Sequence, residues 1–316
     1  MTFDLVTMGR VGVDLYPDQS RVPLAEVRSF SKFLGGTATN VAVACARYGH
    51  RTAVVTKVGE DGFGPYVRSA LRGFGVDDRY VGTDSELRTP LVFCELHPPD
   101  HFPLLFYREP KAPDMNLRLD ELDLDALTSC RILWTTGTGL SDEPSRTATM
   151  GALAARREAA TPGGPTIHDL DYRPMFWSDP TEAGRRQRDA LAHATVAIGN
   201  LEECAVAVGE GSPAEMARRI VDLGVRVAVV KMGPEGVTAF TPDGAVTAPP
   251  VPIEVVNGLG AGDAFGGAVC HGLLSGWDWE ETVTFANAAG AYVAARLACA
   301  DAMPDETEVR ELLARA

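Results

Sequence analysis

The sequence predicts an α/β protein with a mostly parallel sheet flanked by helices, and three observations carry this prediction. From residue 131 onward, short β-branched runs alternate with longer segments of helical periodicity, which is the pattern of a parallel sheet wrapped by helices. Polar residues follow three successive predicted strands, and the carboxyl ends of parallel strands meet at one edge of a sheet. The glycine-rich stretch 257–267 stands between an apolar run and a small-residue helix, where a helix N-terminus can bind an anion.

The composition of the chain excludes several classes of protein. The chain has 316 residues, 45% of them hydrophobic, which suits one large domain with a small addition, or two domains. A net charge of −14 argues against nucleic-acid binding as the main task. There is no basic region with an apolar core at the N-terminus and no membrane-length apolar run, so we expect a cytoplasmic protein without a membrane partner. The six cysteines form no C-x-x-C pair and are expected to be reduced core residues.

The first forty residues contain two candidate ligand-binding features. A strand over 3–8 leads into an extended segment with Asp14, which is either a turn residue or an acceptor for substrate hydroxyls. Gly35 and Gly36 permit close approach of a ligand to the backbone before a helix that Thr37 can cap. Asn40 falls one turn into that helix and faces back towards the glycine pair.

Two strands, at 89–96 and 104–107, are predicted on either side of a short proline-containing loop. The loop contains His97 and His101, but with no third ligand a plain turn is favoured over a metal site. The strand-rich pieces at about 11–33 and 88–110 are separate in sequence and could pair into one small sheet lying over the main domain.

The remaining predicted elements alternate along the chain. A strand at 52–58 and a helix at 64–74 precede the alternating part, and two helices lie between residues 278 and 315. The alternating strands are 132–136, 166–170, 196–198, 227–231 and 236–240, and the helices are 143–160, 181–193, 201–208 and 213–223. The polar groups at the predicted strand ends are Asp169, Asp171 and Arg173, then Asn200 and Glu203, then the segment from Lys231 through Gly233 to Gly236.

Asp263 ends the motif Gly260-Ala261-Gly262-Asp263 at the start of the next predicted helix, after an apolar run at 251–256 that is predicted as a strand. The free N–H groups of the helix would bind an anion. A carboxylate beside a bound anion is electrostatically unfavourable, so its presence there indicates a specific role. Asp263 either caps the helix, or takes a proton from a hydroxyl while the N–H groups hold the charge that develops during phosphoryl transfer. The sequence has neither the P-loop motif nor the dinucleotide fingerprint.

Three motifs occur in order: Gly35-Gly36 with Asn40, Asn200-Leu-Glu-Glu203, and Gly260-Ala-Gly-Asp263. On these motifs the chain resembles the ribokinase / phosphofructokinase-B family of ATP-dependent sugar kinases over essentially its whole length. The resemblance implies one ribokinase-like domain over 1–316, with a small β-sheet lid formed by about 11–33 and 88–110. Relatives often pair through this lid sheet, so a homodimer is expected.

The resemblance also implies a role for each motif. Asp263 would be the base on the acceptor hydroxyl, and Glu203 would act on Mg²⁺ indirectly, through its waters. Many relatives have Asp-Thr in place of Asn257-Gly258, a region tied to monovalent-cation binding, which puts K⁺ activation in doubt. The anion hole would be formed by Gly260, Ala261 and Gly262. The residues that would lie along the nucleotide are Asn200, Lys231, Gly233, Gly236 and Asn287, with Gly260 and Gly262. The sugar hydroxyls would be held by Asp14, Gly35, Gly36 and Asn40.

Two further segments indicate the kind of sugar. The segment from Asp169 to Trp177 is similar to the D-x-[DN]-x-R-x-x-x-W segment of kinases for keto-deoxy sugar acids, and the segment from Tyr107 to Glu109 resembles their lid strand. Because a carboxylate prefers a bidentate cation, Arg108 and Arg173 are its candidate ligands, although one of them could instead steady the transferred phosphoryl group.

The resemblance implies ATP-dependent phosphorylation of a primary hydroxyl of a small keto-deoxy sugar acid. The segments Asp171–Pro174 and Asn257–Asp263 look most like those of kinases that act on 5-dehydro-2-deoxygluconate, so this is the first expected substrate. The nearest alternative is 2-dehydro-3-deoxygluconate as the substrate, followed by ribose or fructose. A non-catalytic sugar or nucleotide sensor on the same fold is the alternative from another class. A dinucleotide-dependent oxidoreductase is disfavoured, because no glycine fingerprint follows the first strand.

Overall fold

The structure, a computed structural model, describes residues 2–159 and 164–315. Within these ranges the chain forms fourteen strands and ten α-helices. The strands are β1 (Leu5–Met8), β2 (Gly12–Pro17), β3 (Phe30–Gly35), β4 (Thr52–Gly59), β5 (Val76–Asp77), β6 (Val81–Asp84), β7 (Leu91–Cys94), β8 (Leu104–Tyr107), β9 (Ile132–Thr136), β10 (Thr166–Asp169), β11 (Val196–Asn200), β12 (Val227–Lys231), β13 (Val237–Thr241) and β14 (Gly244–Ala248). The helices are α1 (Thr37–Arg47), α2 (Gly64–Gly73), α3 (Leu124–Ser129), α4 (Ser145–Glu158), α5 (Pro180–Leu191), α6 (Leu201–Val208), α7 (Pro213–Asp222), α8 (Ala261–Ser275), α9 (Trp279–Ala294) and α10 (Glu306–Leu313).

The main sheet confirms the predicted fold class. Its strand order is β14-β13-β12-β11-β10-β9-β1-β4-β5, with β6 also paired to β4. Every pair from β12 to β5 is parallel, whereas the two pairs at the edge, β12 with β13 and β13 with β14, are antiparallel. The central strands are covered on both faces, so β4 and β9 are buried along their whole length, as expected of strands inside an α/β sandwich.

Helices cover both faces of this sheet. Ile198 and Val229 point to the face covered by α1, α8 and α9, whereas their neighbours Ala197 and Ala228 point to the face covered by α5, α6 and α7. Helix α8 packs very closely, because a Cβ atom at Gly266 would lie 2.5 Å from Cη2 of the fully buried Trp134. This contact fixes the position of α8, whose N-terminus carries the glycine-rich motif.

A second, four-stranded sheet has the order β3-β2-β7-β8. Strand β2 pairs antiparallel with β3 and parallel with β7, and β8 pairs antiparallel with β7. The segments 11–33 and 88–110 thus lie in one sheet, and Leu105 and Tyr107 remain exposed on it. We call this sheet the small sheet.

Two local predictions were wrong. The segment 251–256 is not a strand: Val256 and Asn257 donate their N–H groups to the carbonyl of Ala294 at the end of α9. Pro250 and Pro252 have no N–H to offer a neighbouring strand, which disfavours pairing here. Thr37 does not cap α1, because Gly36 occupies the N-cap position and Thr37 is the first helical residue.

Three other sequence predictions can be compared directly with the structure. The helix predicted over 143–160 corresponds to Ser145–Glu158, and residue 160 lies outside the described residues. All six cysteines are buried and free. No helix in residues 2–159 and 164–315 combines the length and apolar character needed to cross a membrane.

Candidate active site

The glycine-rich turn places Asp263 in the first turn of α8. Gly260 is the N-cap residue and has a φ of 81°, a conformation that favours glycine. A Cβ atom at this position would lie 2.6 Å from Sγ and 3.1 Å from Cα of Cys299, so the close approach also requires glycine. The N–H groups of this first turn have no partner within the helix and are available to an anion.

Asn40 links α1 to the carboxylate of Asp263. Its Nδ2 donates to Oδ2 of Asp263 at 2.7 Å, and its own Oδ1 is buried with no partner. Oδ1 of Asp263 accepts no hydrogen bond from any residue in the described parts of the chain. One carboxylate oxygen of Asp263 and the buried amide oxygen of Asn40 are therefore free to accept from a ligand.

The pKa of Asp263 is raised to about 6. Burial is the main cause, and the negative charge of Asp171 adds to it. The hydrogen bond from Asn40 and the positive charges of Arg10 and Arg173 oppose this rise. The group stays ionised at neutral pH but is more basic than an exposed carboxylate, as a general base should be.

A cavity of about 480 Å³ lies in front of Asp263, between the edge of the main sheet and the small sheet. We call it the polar cavity, because five carboxylates and three cations lie in its wall. The carboxylates are Asp14, Asp169, Asp171, Glu203 and Asp263, and the cations are Arg10, Arg173 and Lys231. The other residues of its wall that the sequence predicted as site residues are Gly36, Asn40, Asn200, Gly233, Gly260 and Gly262.

A second cavity, of about 550 Å³, adjoins the first and shares Lys231, Gly233 and Gly262 with it. We call it the apolar cavity, since proline, valine, isoleucine, phenylalanine and alanine side chains dominate its wall. Asn287 also lies in this wall, where its Nδ2 donates to the carbonyl of Pro249 at 2.6 Å. Gly236 and Ala261 complete the set of predicted residues found here.

Lys231 stands where the two cavities meet, at the end of β12. Asn200 is its register partner at the end of β11, and Asp169 ends β10. Burial alone would lower the pKa of Lys231, but Asp169, Glu203 and Asp263 outweigh it and raise the pKa. Burial raises the pKa of Asp169, and the negative charges of Glu203, Asp171 and Asp263 add to this rise against the charge of Lys231. The ends of the parallel strands have thus brought Lys231 close to Asp169 and Glu203, as the sequence predicted, and the first turn of α8 adds Asp263.

The Asn-x-x-Glu motif is a capping box at the start of α6. The N–H of Glu203 donates to Oδ1 of Asn200 at 2.8 Å, and the N–H of Asn200 donates to Oε2 of Glu203 at 2.7 Å. This reciprocal pair fixes both side chains at the helix N-terminus. It also leaves Oε1 of Glu203 without a protein donor in the described parts of the chain, in the wall of the polar cavity.

The glycine pair brings Asp14 and Arg10 close to the start of α1. A Cβ atom at Gly36, whose φ is 101°, would lie 2.5 Å from the carbonyl oxygen of Arg10. A Cβ atom at Gly35 would lie 2.1 Å from Oδ1 of Asp14, so Gly35 makes room for that carboxylate without reaching the cavity wall itself. Burial raises the pKa of Asp14 to about 6, against the charge of Arg10 and the hydrogen bond from Tyr16.

The structure does not bring Tyr107 and Arg108 to either cavity, contrary to the sequence prediction. Tyr107 is 60% exposed on the outside of the small sheet. Nη2 of Arg108 donates to both carboxylate oxygens of Asp114, at 3.0 and 2.8 Å, and both side chains are almost fully buried. The charge of Arg108 is therefore already matched, and its neighbour Phe106 lies in the cavity wall instead.

We predict that Arg108→Ala lowers stability and leaves substrate binding unchanged. Removing one partner of a buried ion pair strands the other charge, which costs about 3–5 kcal/mol in the free energy of unfolding, measurable by denaturant titration. The matched control is Arg118→Ala, which removes an exposed pair with Asp120 and should change the stability little. A stable Arg108→Ala variant with a sharply raised KM for the sugar would contradict this interpretation.

The sequence analysis missed Arg10. It follows Gly9 directly after β1, and β1 lies between β9 and β4 in the middle of the main sheet. The rule that polar residues after parallel strands line a site was applied only from residue 131 onward. Applied to the first strand, the same rule would have indicated Arg10.

Residues 2–306 match the family model described as pfkB family carbohydrate kinase, and the chain belongs to this family. It is an ATP-dependent carbohydrate kinase.

Three individual proteins are similar to this chain over nearly its whole length. The 5-dehydro-2-deoxygluconokinase of Clostridium perfringens is 32% identical over 317 residues, covering 98% of this chain and 93% of that protein. A fructokinase from Vibrio cholerae, solved as a double mutant with fructose, ADP and a potassium ion bound, is 28% identical with a TM-score of 0.87 and 99% coverage of both chains. A PfkB protein from Polaromonas is 26% identical with a TM-score of 0.86, covering 98% of this chain and 99% of the other.

Proposed function

We propose that the enzyme transfers the γ-phosphoryl group of ATP to a primary hydroxyl of a small keto-deoxy sugar acid, with 5-dehydro-2-deoxygluconate as the preferred substrate. The observation that carries this proposal is the polar cavity, which places guanidinium groups in the same wall as the free carboxylate oxygen of Asp263. Guanidinium is the side-chain group best suited to a carboxylate, whereas neutral sugars need only hydrogen-bond partners. The name of the relative from Clostridium perfringens supports the same substrate.

Asp263 is the proposed general base. The primary hydroxyl of the substrate donates to its free Oδ1, and the proton passes to Asp263 as the hydroxyl oxygen bonds to the γ-phosphorus. The bond between that phosphorus and the bridging oxygen breaks, and ADP leaves with the electron pair. The N–H groups at Gly260, Ala261 and Gly262 face the charge that develops on the transferred group.

The two cavities divide the substrates between them. We place the nucleotide base in the apolar cavity, near Asn287 and Gly236, and its phosphates along Lys231 and Gly233. The sugar occupies the polar cavity, where Asp14 and the free Oδ1 of Asn40 accept from its hydroxyls. Gly35 and Gly36 allow this close approach, and the small sheet would act as a lid that excludes water.

Asn200 and Glu203 fit the proposed Mg²⁺ through oxygen atoms. Mg²⁺ prefers hard oxygen ligands and keeps several waters beside substrate phosphates, and Oε1 of Glu203 lacks a protein donor in the described residues. No group of three or more His, Cys, Asp or Glu in the described parts of the chain is arranged to hold a metal ion on its own. Glu203 would therefore act through water, and the ion would neutralise phosphate charge.

The product of the reaction tests this proposal. The enzyme is incubated with Mg-ATP and 5-dehydro-2-deoxygluconate, and the product is followed by proton-coupled phosphorus NMR. A phosphate ester on a CH₂–O group splits into a triplet, which is the expected signal. A doublet would place the ester on a secondary hydroxyl, and no ester would contradict the proposed substrate.

We predict that kcat/KM for the sugar acid falls as the pH drops through about 6. The base must be ionised, and burial raises the pKa of Asp263 to about 6 against Asn40, Arg10 and Arg173. Asp14 has a similarly raised pKa of about 6, so loss of activity below that pH should approach second order in protons. In Asp14→Asn the slope should fall to first order. An acid limb near pH 4 would contradict the raised pKa of Asp263.

A further inference from the structure

Arg10 is a buried cation with most of its donors unused. It is only 8% exposed, and in residues 2–159 and 164–315 its side chain makes one hydrogen bond, from Nη2 to Oγ1 of Thr37 at 2.7 Å. Its Nε is buried with no partner, and Nη1 donates to no acceptor in the described parts of the chain. A buried guanidinium nitrogen without an acceptor is costly unless a ligand supplies one.

The nearest carboxylate to Arg10 already serves another arginine. Oδ1 of Asp171 lies 3.1 Å from Nη2 of Arg173, and its Oδ2 accepts from Thr138 at 2.9 Å. Arg10 reaches Asp171 only at 3.8 Å, which is too long for a hydrogen bond. Asp14 acts on Arg10 through its charge alone. In the described parts of the chain, Arg10 thus has favourable charges around it, but its side chain has only Oγ1 of Thr37 as an acceptor in bonding contact.

Asp171 itself is held in an unusual conformation. Its φ of 27° is rare for a residue with a side chain, and such residues cluster at functional sites. The two arginines Arg10 and Arg173 hold the pKa of Asp171 below its ordinary value despite its burial. Asp171 therefore remains an anion that fixes Arg173, and its charge also holds Arg10 in the cavity wall.

The surroundings of Arg10 also favour an anion. The ring of Phe106 lies 5.7 Å from the guanidinium carbon and shields that side of the cavity. The first turn of α1 begins beside Arg10 and contains no acidic residue, so its partial positive charge adds to that of the guanidinium. Arg108 also has a buried nitrogen without a partner, but it lies outside the cavity wall and Asp114 matches its charge.

We infer that Arg10 binds the carboxylate of the sugar acid and sets the preference for acids over neutral sugars. The carboxylate oxygens accept from Nη1, which has no acceptor in the described parts of the chain, and from the second N–H of Nη2, on the edge of the guanidinium that these two nitrogens form. Arg173, which is 35% exposed and held by Asp171, is then left to steady the transferred phosphoryl group. The inference rests on the proposed function, because it presupposes an acidic substrate.

The kinetic test compares Arg10→Gln and Arg10→Lys with the wild type. Loss of a charged hydrogen-bonded contact should raise KM for 5-dehydro-2-deoxygluconate by about 10- to 100-fold in Arg10→Gln. Arg10→Lys keeps the positive charge but loses the planar pair of N–H donors, so its KM for the sugar acid should lie between that of the wild type and that of Arg10→Gln. KM for ATP should change by no more than a factor of about two. Arg68→Gln is the matched control, because Arg68 binds backbone carbonyls around β6, away from both cavities.

A binding measurement removes the dependence on turnover. Gluconate and its neutral counterpart glucitol are compared by the shift that each causes in Tm over a range of ligand concentrations. The wild type and Arg68→Gln should bind gluconate more tightly than glucitol. In Arg10→Gln the two ligands should bind equally weakly. If Arg10→Gln does not fold, Arg10→Lys decides the question on the same readouts.

Different results would contradict the inference about Arg10 and the proposed function. A variant at Arg10 that retains the wild-type KM for the acid and the preference for gluconate would overturn the inference while the proposed function stands. A wild-type enzyme that phosphorylates ribose or fructose but no sugar acid would refute the proposed function itself.

Discussion

Asp263→Asn is expected to lower kcat by about 10²- to 10⁴-fold, the usual contribution of a general base. Asparagine has nearly the same shape and can still accept the hydrogen bond from Asn40, but its amide cannot take the proton of the substrate hydroxyl. The fold and the nucleotide site should therefore survive, and KM for ATP should change by no more than a factor of about two. Single-turnover measurements on the variant would separate the chemical step from product release.

Asp278→Asn is the matched control for this variant. Asp278 caps α9 by accepting from the N–H of Glu281 at 2.8 Å, and asparagine caps a helix about as well as aspartate. The same chemical change at the start of the adjacent helix should therefore leave kcat unchanged. Turnover near the wild-type rate in Asp263→Asn would contradict the role of Asp263 as the base.

Gly260→Ala is expected to lower kcat by about 10²- to 10³-fold, the effect of losing one donor to a developing negative charge. A methyl group at this position meets Sγ of Cys299 at 2.6 Å and its backbone Cα at 3.1 Å. The turn must shift to relieve this contact, and the first N–H groups of α8 move with it. KM for ATP should also rise, because Gly260 adjoins the proposed phosphate site.

Gly276 offers a control at the other end of the same helix. It caps the C-terminus of α8 with a φ of 76°, nearly the 81° of Gly260, but a Cβ atom there meets nothing within 4 Å. Gly276→Ala should therefore lose about 1–2 kcal/mol of stability for the left-handed conformation, the cost that both positions share, with little loss of activity. Equal loss of kcat in both variants would contradict the proposal that the turn at Gly260 acts on the transferred group.

The features that the sequence predicted well are those that depend on local patterns. Alternating runs from residue 131 are enough to predict a parallel sheet, since buried strands and amphipathic helices leave different periodicities. In a parallel sheet the carboxyl ends of the strands lie at the same edge. This topology is why Asn200 and Lys231 meet there, close to Asp263, although these residues are far apart in the chain.

The wrong or missing features depend on partners that a linear pattern does not identify. Arg108 resembles a ligand-binding residue beside a strand until its buried partner Asp114 is seen. The apolar segment 251–256 could have been a strand, but its backbone bonds instead to the end of α9. Arg10 follows a central strand, so its place at the edge of the sheet is predictable, but its unpaired nitrogens become visible only when Thr37, Asp171 and Phe106 surround it.

The most direct test of the central claim is kcat/KM for a panel of acceptors with Mg-ATP, measured by ADP release. The panel holds 5-dehydro-2-deoxygluconate, 2-dehydro-3-deoxygluconate, ribose and fructose. We predict that 5-dehydro-2-deoxygluconate has the highest kcat/KM and that the two neutral sugars are poor acceptors. Efficient turnover of ribose or fructose without turnover of either acid would contradict the claim that the polar cavity selects a sugar acid.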